Sequence, residues 1–295
     1  MIGCGAVGSL FAANLGTLDD VEVWAYDPWQ EHVDAINANG LRLSGAGDVV
    51  GKVNATADPA ALPPCELGIV AVKSMQTTEA IAATAHAFGA VASVQNGAGN
   101  EELIAEHVRE VIRGTTFPAG HVIEPGHVGW DTRGDTHIGP FEPSPAPMEA
   151  VKALADACTR AGMPTHALAD ARGAQWRKLI FNAASNAIAA LTRRTHGQVA
   201  EPPTRELAWA VMAEGRAVAD AQGITLDLSP EELFDHAARK DVAYGHKPSM
   251  LQDVEAGRET EIDFLNGAIV AFGDRYGVDA PLNRALTQLI KGRAR

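Results

Sequence analysis

Apolar positions along the first third of the chain come in short runs separated by stretches of helical periodicity. Residues 21–27 (VEVWAYD) and 67–73 (LGIVAVK) are β-branched-rich runs bounded by polar residues, which predicts buried strands. Residues 9–15, 29–38 and 76–88 carry the spacing of helices between them. Strands alternating with helices predict a parallel α/β sheet. Beyond about Ala90 the spacing tightens into runs at 91–95, 111–116, 121–123, 128–131 and 136–138, cut by Asn-Gly, Pro-Gly and Arg-Gly turns. These predict edge strands and hairpins that close the first domain. From Pro147 onward the pattern is helical, with Ala-rich segments at 148–161, 172–193, 203–222, 230–240, 249–256 and 259–276. The shift at 168–172 places a domain boundary there, giving domains 1–168 and 169–295. Only Met1 and Ile2 precede Gly3, so the first strand is expected to be cut short or unusually short beside the ~5–6 residues typical of strands.

Composition narrows the partners. A length of 295 residues suits two domains, and 46% hydrophobic with 21% charged residues is ordinary for a globular chain. The formal charge is −13, and the basic runs are confined to Arg193-Arg194 and a tail at 291–295, so no electrostatic footprint for nucleic acid or an anionic membrane is expected. No apolar run reaches the ~18 residues of a membrane span, and no signal segment opens the chain. Cys4, Cys65 and Cys158 form neither a disulfide framework nor a ligand set, which favours a reducing, cytoplasmic setting. The ten histidines lack zinc spacing, and no metal is expected.

The most specific local motif is Gly3-Cys4-Gly5-Ala6-Val7-Gly8. Such a GxGxxG at a strand-to-helix turn lets the backbone turn tightly and points helix N–H groups at a pyrophosphate. Asp27 closes the second predicted strand 19 positions after Gly8, where a carboxylate would accept hydrogen bonds from an adenosine ribose. Together they predict dinucleotide binding. Asp27 also suits a helix N-cap ahead of Pro28, and the two roles can coexist.

Within 172–193, Lys178, Asn182, Ser185 and Asn186 fall inside an arc of about 100°. Asn and Ser are poor interior helix formers, and the rest of the segment is apolar, so this stripe is expected to line an internal cleft rather than a solvated face. Farther on, Ser249 with Gln252 fits a capping box, which predicts Ser249 as an N-cap. Glu261 precedes a core-facing series, Ile262, Leu265, Ile269 and Phe272, and fits a first-turn carboxylate as well as a functional one.

These residues carry a family resemblance that spans nearly the whole chain. GCGAVG at 3–8, VAVKS at 70–74, VQNGAG at 94–99, the strand at 136–139 with its Ile-Gly, Lys178-x3-Asn182-x3-Asn186, SMLQD at 249–253 and TEID at 260–263 resemble the ketopantoate reductases (2-dehydropantoate 2-reductases). The resemblance implies an α/β Rossmann domain with a parallel sheet joined to an all-helical domain of the 6-phosphogluconate dehydrogenase C-terminal type, with substrate in the cleft between them. It implies nicotinamide-linked reduction, ordinarily with NADPH, of a 2-oxo acid to an (R)-2-hydroxy acid and allows a homodimer. By position, Lys178 would be the general acid and Glu261 would anchor the site. Asn182, Asn186 and Ser249 would hold substrate. Gly3, Gly5, Ala6, Val7, Gly8 and Asp27 would hold the cofactor, with Lys73 near it and Asn96 on its nicotinamide side.

Two departures shape the expectation. Family members that prefer NADPH usually carry a basic residue near the end of the second strand. Here Asp27-Pro28-Trp29-Gln30 offers none, so NAD(H) is expected over NADP(H). Pantoate-forming members commonly place Asn three positions before the SMLQD serine, whereas this chain has His246, which fits either a residue that faces the substrate and changes its identity or an exposed loop histidine beside Lys247. The rival readings are a paralogue acting on a different 2-oxo or 2-hydroxy acid and a dinucleotide-sensing regulator without turnover. A sensor would have no need of Lys178 and Glu261 beside the binding amides. A flavoenzyme is a lesser rival.

Overall fold

The structure, a computed structural model, describes residues 1–293; the last two residues of the basic 291–295 tail lie outside the described residues. The chain divides into two compact units, Met1–Gln95 with Asn100–Ala171, and Arg172–Arg295 with the short segment Asn96–Gly99.

The first unit is built on a parallel sheet. Trp24–Tyr26 pairs with Asn54–Thr56 on one side, and Cys65–Val70, Phe88–Ser93 and Glu110–Thr116 follow one another in parallel on the other. Ile2 joins the two parts, bridging Tyr26 and Val70 at once. Its neighbours complete the ladder: Ile2 N bonds Ile69 O, Ala71 N bonds Ile2 O, and Tyr26 N bonds Met1 O. The expected short first strand is therefore a single bridging residue in the middle of the sheet. Thr136–Pro140 adds antiparallel to Glu110–Thr116, and Thr165–Ala167 pairs parallel with it. Helix Ala6–Leu15 covers one face with a core that includes Leu10, Phe11, Ile69, Ala92 and Ile112. Helices Thr77–Thr84 and Asn100–Ala105 cover the other, around Ile2, Val70, Ile81, Val91 and Ile104. A parallel sheet clothed on both faces explains why its strands read as continuous apolar runs.

Several details differ from the sequence reading. The second strand pairs only over Trp24–Tyr26, and three short strands, Leu41–Gly45, Val49–Gly51 and Asn54–Thr56, occupy a stretch with no expected element. Leu41–Gly45 and Val49–Gly51 belong to a second sheet with Ala119–Glu124 and His127–Thr132.

The second unit is helical. Arg172–Thr192 is buried along most of its length and packs against Thr204–Ala221, Pro230–Ala237, Ser249–Glu255 and Pro281–Lys291. A helix apolar on almost every side is a core helix. The predicted helix over 259–276 is divided: a single 3-10 turn at Ile262–Phe264 precedes Asn266–Tyr276, with Leu265 out of helical geometry at φ −105°, ψ −97°. Pro281–Lys291 was not predicted.

Candidate functional site

In the first unit the glycine loop has the shape a dinucleotide requires. Gly3 holds φ +83°, and a Cβ there would sit 2.5 Å from Val72 Cγ1; a Cβ on Gly8 would sit 2.0 Å from the Gly3 carbonyl oxygen. Both are closed to side chains. Gly5 has nothing within 4 Å of its Cβ position, so the outer face of the loop is open. Ala6 begins the helix, Gly5 is its N-cap, and no side chain caps it, so the first-turn N–H groups of Ala6, Val7 and Gly8 are oriented for an anion. Asp27 stands beside this loop: its Oδ2 accepts the Cys4 N–H at 2.8 Å and its Oδ1 accepts the Trp29 N–H at 3.0 Å. Two backbone donors hold the carboxylate in place, and each oxygen retains acceptor capacity for a ribose hydroxyl. The N-cap reading of Asp27 is corrected, since Trp29 is the N-cap of helix Gln30–Asn39 and Asp27 forms a turn before it. Lys73 lies exposed just beyond the carboxyl end of Cys65–Val70, the end of the sheet where α/β folds place ligands. The residues present fit a nicotinamide dinucleotide.

In the second unit the lysine–asparagine stripe forms one face of Arg172–Thr192. The Lys178 ammonium donates to Asn96 Oδ1 at 2.8 Å. Asn96 is held there by its own segment: Ala98 N bonds Phe264 O at 3.0 Å, Gln175 Nε2 donates to Gly97 O at 3.3 Å, and Gly97 takes φ +90°. Asn96, expected on the nicotinamide side, thus belongs to the compact unit that carries Lys178. Lys178 keeps partial exposure as a residue, yet desolvation pushes its pKa down to about 8, with the Glu261 carboxylate opposing the fall. Glu261 is buried immediately before the turn Ile262–Phe264, whose last residue supplies the carbonyl that anchors Ala98. It is not in a first turn of Asn266–Tyr276.

Asn182 and Asn186, both buried, continue the face, with Asn186 Nδ2 donating to Asn182 Oδ1 at 3.3 Å. Asn186 Oδ1 accepts from Ser249 Oγ at 3.2 Å and from Met250 N at 3.0 Å. This corrects the capping-box reading of Ser249: Pro248 is the N-cap, Ser249 is the first helical residue, and Gln252 Nε2 turns back to Lys247 O at 2.8 Å. The start of Ser249–Glu255 is capped from another helix by Asn186.

The sequence reading missed what holds His246. Its half-buried imidazole stacks on His196, with centroids 5.5 Å apart and planes 10° apart, and His196 in turn stacks on Phe181 at 5.5 Å and 22°. His196 N donates to His246 O at 3.0 Å, and Ser185 Oγ meets His196 Nδ1 at 2.5 Å. Burial, helped by the neighbouring His246, pushes the His196 pKa down to about 3, so this imidazole is neutral. Ser185, the fourth member of the stripe, therefore serves the ring column. The single cue in the sequence is that Phe181 and Ser185 extend the stripe at helical spacing; nothing links His196 to them.

Among the described residues no group of three or more His, Cys, Asp or Glu side chains could hold a metal ion, and no helix is long and apolar enough to cross a membrane.

Comparison with known proteins adds to this geometry. The family model described as "Ketopantoate reductase PanE/ApbA" matches residues 1–143, and that described as "Ketopantoate reductase PanE/ApbA C terminal" matches residues 170–294. A 2-dehydropantoate 2-reductase of Pyrococcus abyssi is 35% identical over 99% of this chain and 96% of its own length. The crystal structure of a PanE/ApbA family ketopantoate reductase from Ralstonia eutropha JMP134 superposes with TM-score 0.85 at 34% identity, covering 98% of this chain and 96% of that one. A ternary structure of D-mandelate dehydrogenase with NADH and anilino(oxo)acetate superposes with TM-score 0.87 at 26% identity, covering 98% and 96%.

Proposed function

The chain belongs to the ketopantoate reductase family, and from that premise we propose that it reduces a 2-oxo acid to the (R)-2-hydroxy acid, with NADH preferred over NADPH. The observation that carries the reading is the Lys178 ammonium, held by Asn96 at 2.8 Å and kept charged by Glu261 on a buried amide face. The glycine loop of Gly3, Gly5 and Gly8 with Asp27 would hold the dinucleotide, which when bound would supply the hydride for the carbonyl carbon. Lys178 polarises the keto group, stabilises negative charge growing on its oxygen, and gives that oxygen a proton. Asn96 fixes the direction of the ammonium. Glu261 offsets the desolvation that would otherwise discharge it. Asn182, Asn186 and Ser249 present donors and acceptors to the carboxylate and hydroxyl of the substrate. Lys73, at the end of its strand, assists with the cofactor. A dinucleotide sensor would gain nothing from an acid so arranged.

Asp27 sets the cofactor preference. Its carboxylate accepts ribose hydroxyls but repels a 2′-phosphate, and residues 28–30 supply no cation to offset that repulsion. The test is kcat/KM with NADH and NADPH across a panel of 2-oxo acids. Oxidation of NADH with at least one of them, well above that of NADPH, is expected. Equal or better use of NADPH would refute the preference, and no turnover with either would refute the reaction.

A second reading, a paralogue acting on a 2-oxo acid other than ketopantoate, is favoured by the Phe181–His196–His246 column. An imidazole offers a substrate a different partner from the amide commonly found at the position of His246, and a polar group left unpaired on binding penalises the wrong substrate. Ketopantoate is expected either to be reduced slowly beside another 2-oxo acid, or with a pH profile that His246→Asn shifts. Efficient ketopantoate reduction with kinetics and pH dependence untouched by His246→Asn would make His246 a bystander.

A further inference from the structure

Trp29 spends an indole on the surface directly after the ribose-facing carboxylate, being 40% exposed as the N-cap of helix Gln30–Asn39. It is not loosely placed. Its backbone N–H donates to Asp27 Oδ1 at 3.0 Å, and its ring lies parallel on the imidazole of His32, with centroids 5.0 Å apart and planes 7° apart. His32 is fully buried and its pKa is lowered by that burial; its Nδ1 accepts the Gly126 N–H at 3.0 Å, so the ring is a neutral, fixed support. One face of the indole is thus held on His32 while the residue stays 40% exposed, two positions after Asp27 in the chain.

We propose that Trp29 is the platform on which the adenine of the bound dinucleotide stacks, an inference that rests on reading the glycine loop as a dinucleotide site. When ribose hydroxyls bond Asp27, the base on the same sugar lies only a few ångströms from that carboxylate. Trp29 is bonded to the same carboxylate. A preordered aromatic face costs little further ordering when a base settles on it, and every base has a π-face to offer. The stack on His32 fixes the orientation of the indole before ligand arrives.

The test uses the full chain and titrates NAD⁺, ADP-ribose and nicotinamide mononucleotide by calorimetry, and AMP by protein fluorescence. Trp29→Ala is expected to weaken NAD⁺ and ADP-ribose by roughly tenfold or more, with the mononucleotide unchanged, while Trp29→Phe stays within about threefold of wild type. AMP is expected to quench fluorescence of the wild type and not of Trp29→Phe. ADP-ribose binding by Trp29→Ala equal to wild type, or a parallel loss of the mononucleotide, overturns the proposal. If Trp29→Ala does not fold, the fluorescence comparison decides, and equal quenching in Trp29→Phe overturns it. If the wild type binds neither NAD⁺ nor ADP-ribose, the dinucleotide reading itself fails; if it binds both and only the Trp29 effects are missing, that reading stands without the platform.

Discussion

At the scale of single residues, the proposed chemistry turns on one ammonium whose pKa is balanced by two opposed effects. Loss of water lowers the Lys178 pKa to about 8, and the Glu261 charge holds it from falling farther. Only the protonated form can give a proton to the keto oxygen, so kcat/KM for reduction should fall as pH rises through about 8, while oxidation of the hydroxy acid should gain over the same interval. Glu261→Gln removes the supporting charge, and the descending limb should then move to lower pH. A limb unmoved by that substitution, or one lying near the ordinary lysine value of about 10.4, would separate Lys178 from proton transfer. The stripe of Lys178, Asn182 and Asn186 was legible in the sequence because amides are costly inside an otherwise apolar helix. His196 was not, since its meaning comes from Ser185 and His246, which only the fold brings to it.

At the scale of elements, the segment Asn96–Gly99 matters more than its length suggests. A Cβ on Gly97 would stand 2.2 Å from the Phe264 carbonyl oxygen, and the residue holds φ +90°, a region that side chains avoid. Gly97→Ala should therefore break the Ala98–Phe264 tie and displace Asn96 from Lys178. Thermal melting is expected to show a loss on the order of 2 kcal/mol, with kcat falling as well. A variant as stable and active as wild type would show that this segment does not position the acid. The sequence marked 94–99 as a motif and Asn96-Gly97 as a turn, but not its attachment to the helical unit, because a turn signal is local and the carbonyl that holds it is not. The same locality explains Ser249: the capping-box pattern was present, yet Asn186 took the capping role. Leu41–Gly45 does alternate, Leu41 and Leu43 buried with Arg42 exposed between them, a strand signal that could have been read, whereas Val49–Gly51 is too short to alternate clearly. By contrast, Leu282, Leu286 and Ile290 recur at four-residue steps after Pro281, so helix Pro281–Lys291 left a signal that could have been read.

At the scale of the whole molecule, the alternation of elements, the glycine motif and the late run of helices made the fold class plain from sequence. The chain assigns its groups unevenly. The glycine loop and Asp27 lie in the first unit, whereas Lys178, Asn96, Asn182, Asn186, Ser249 and Glu261 lie in the second. Removing the acid should therefore cost turnover and spare the cofactor. The deciding measurement is the kinetics of Lys178→Ala together with its dissociation constant for NADH. The expected result is kcat lowered by about 10²-fold or more, with NADH affinity within about twofold of wild type. Wild-type turnover in Lys178→Ala would contradict the assignment of Lys178 as the acid and, with it, the proposed mechanism of reduction.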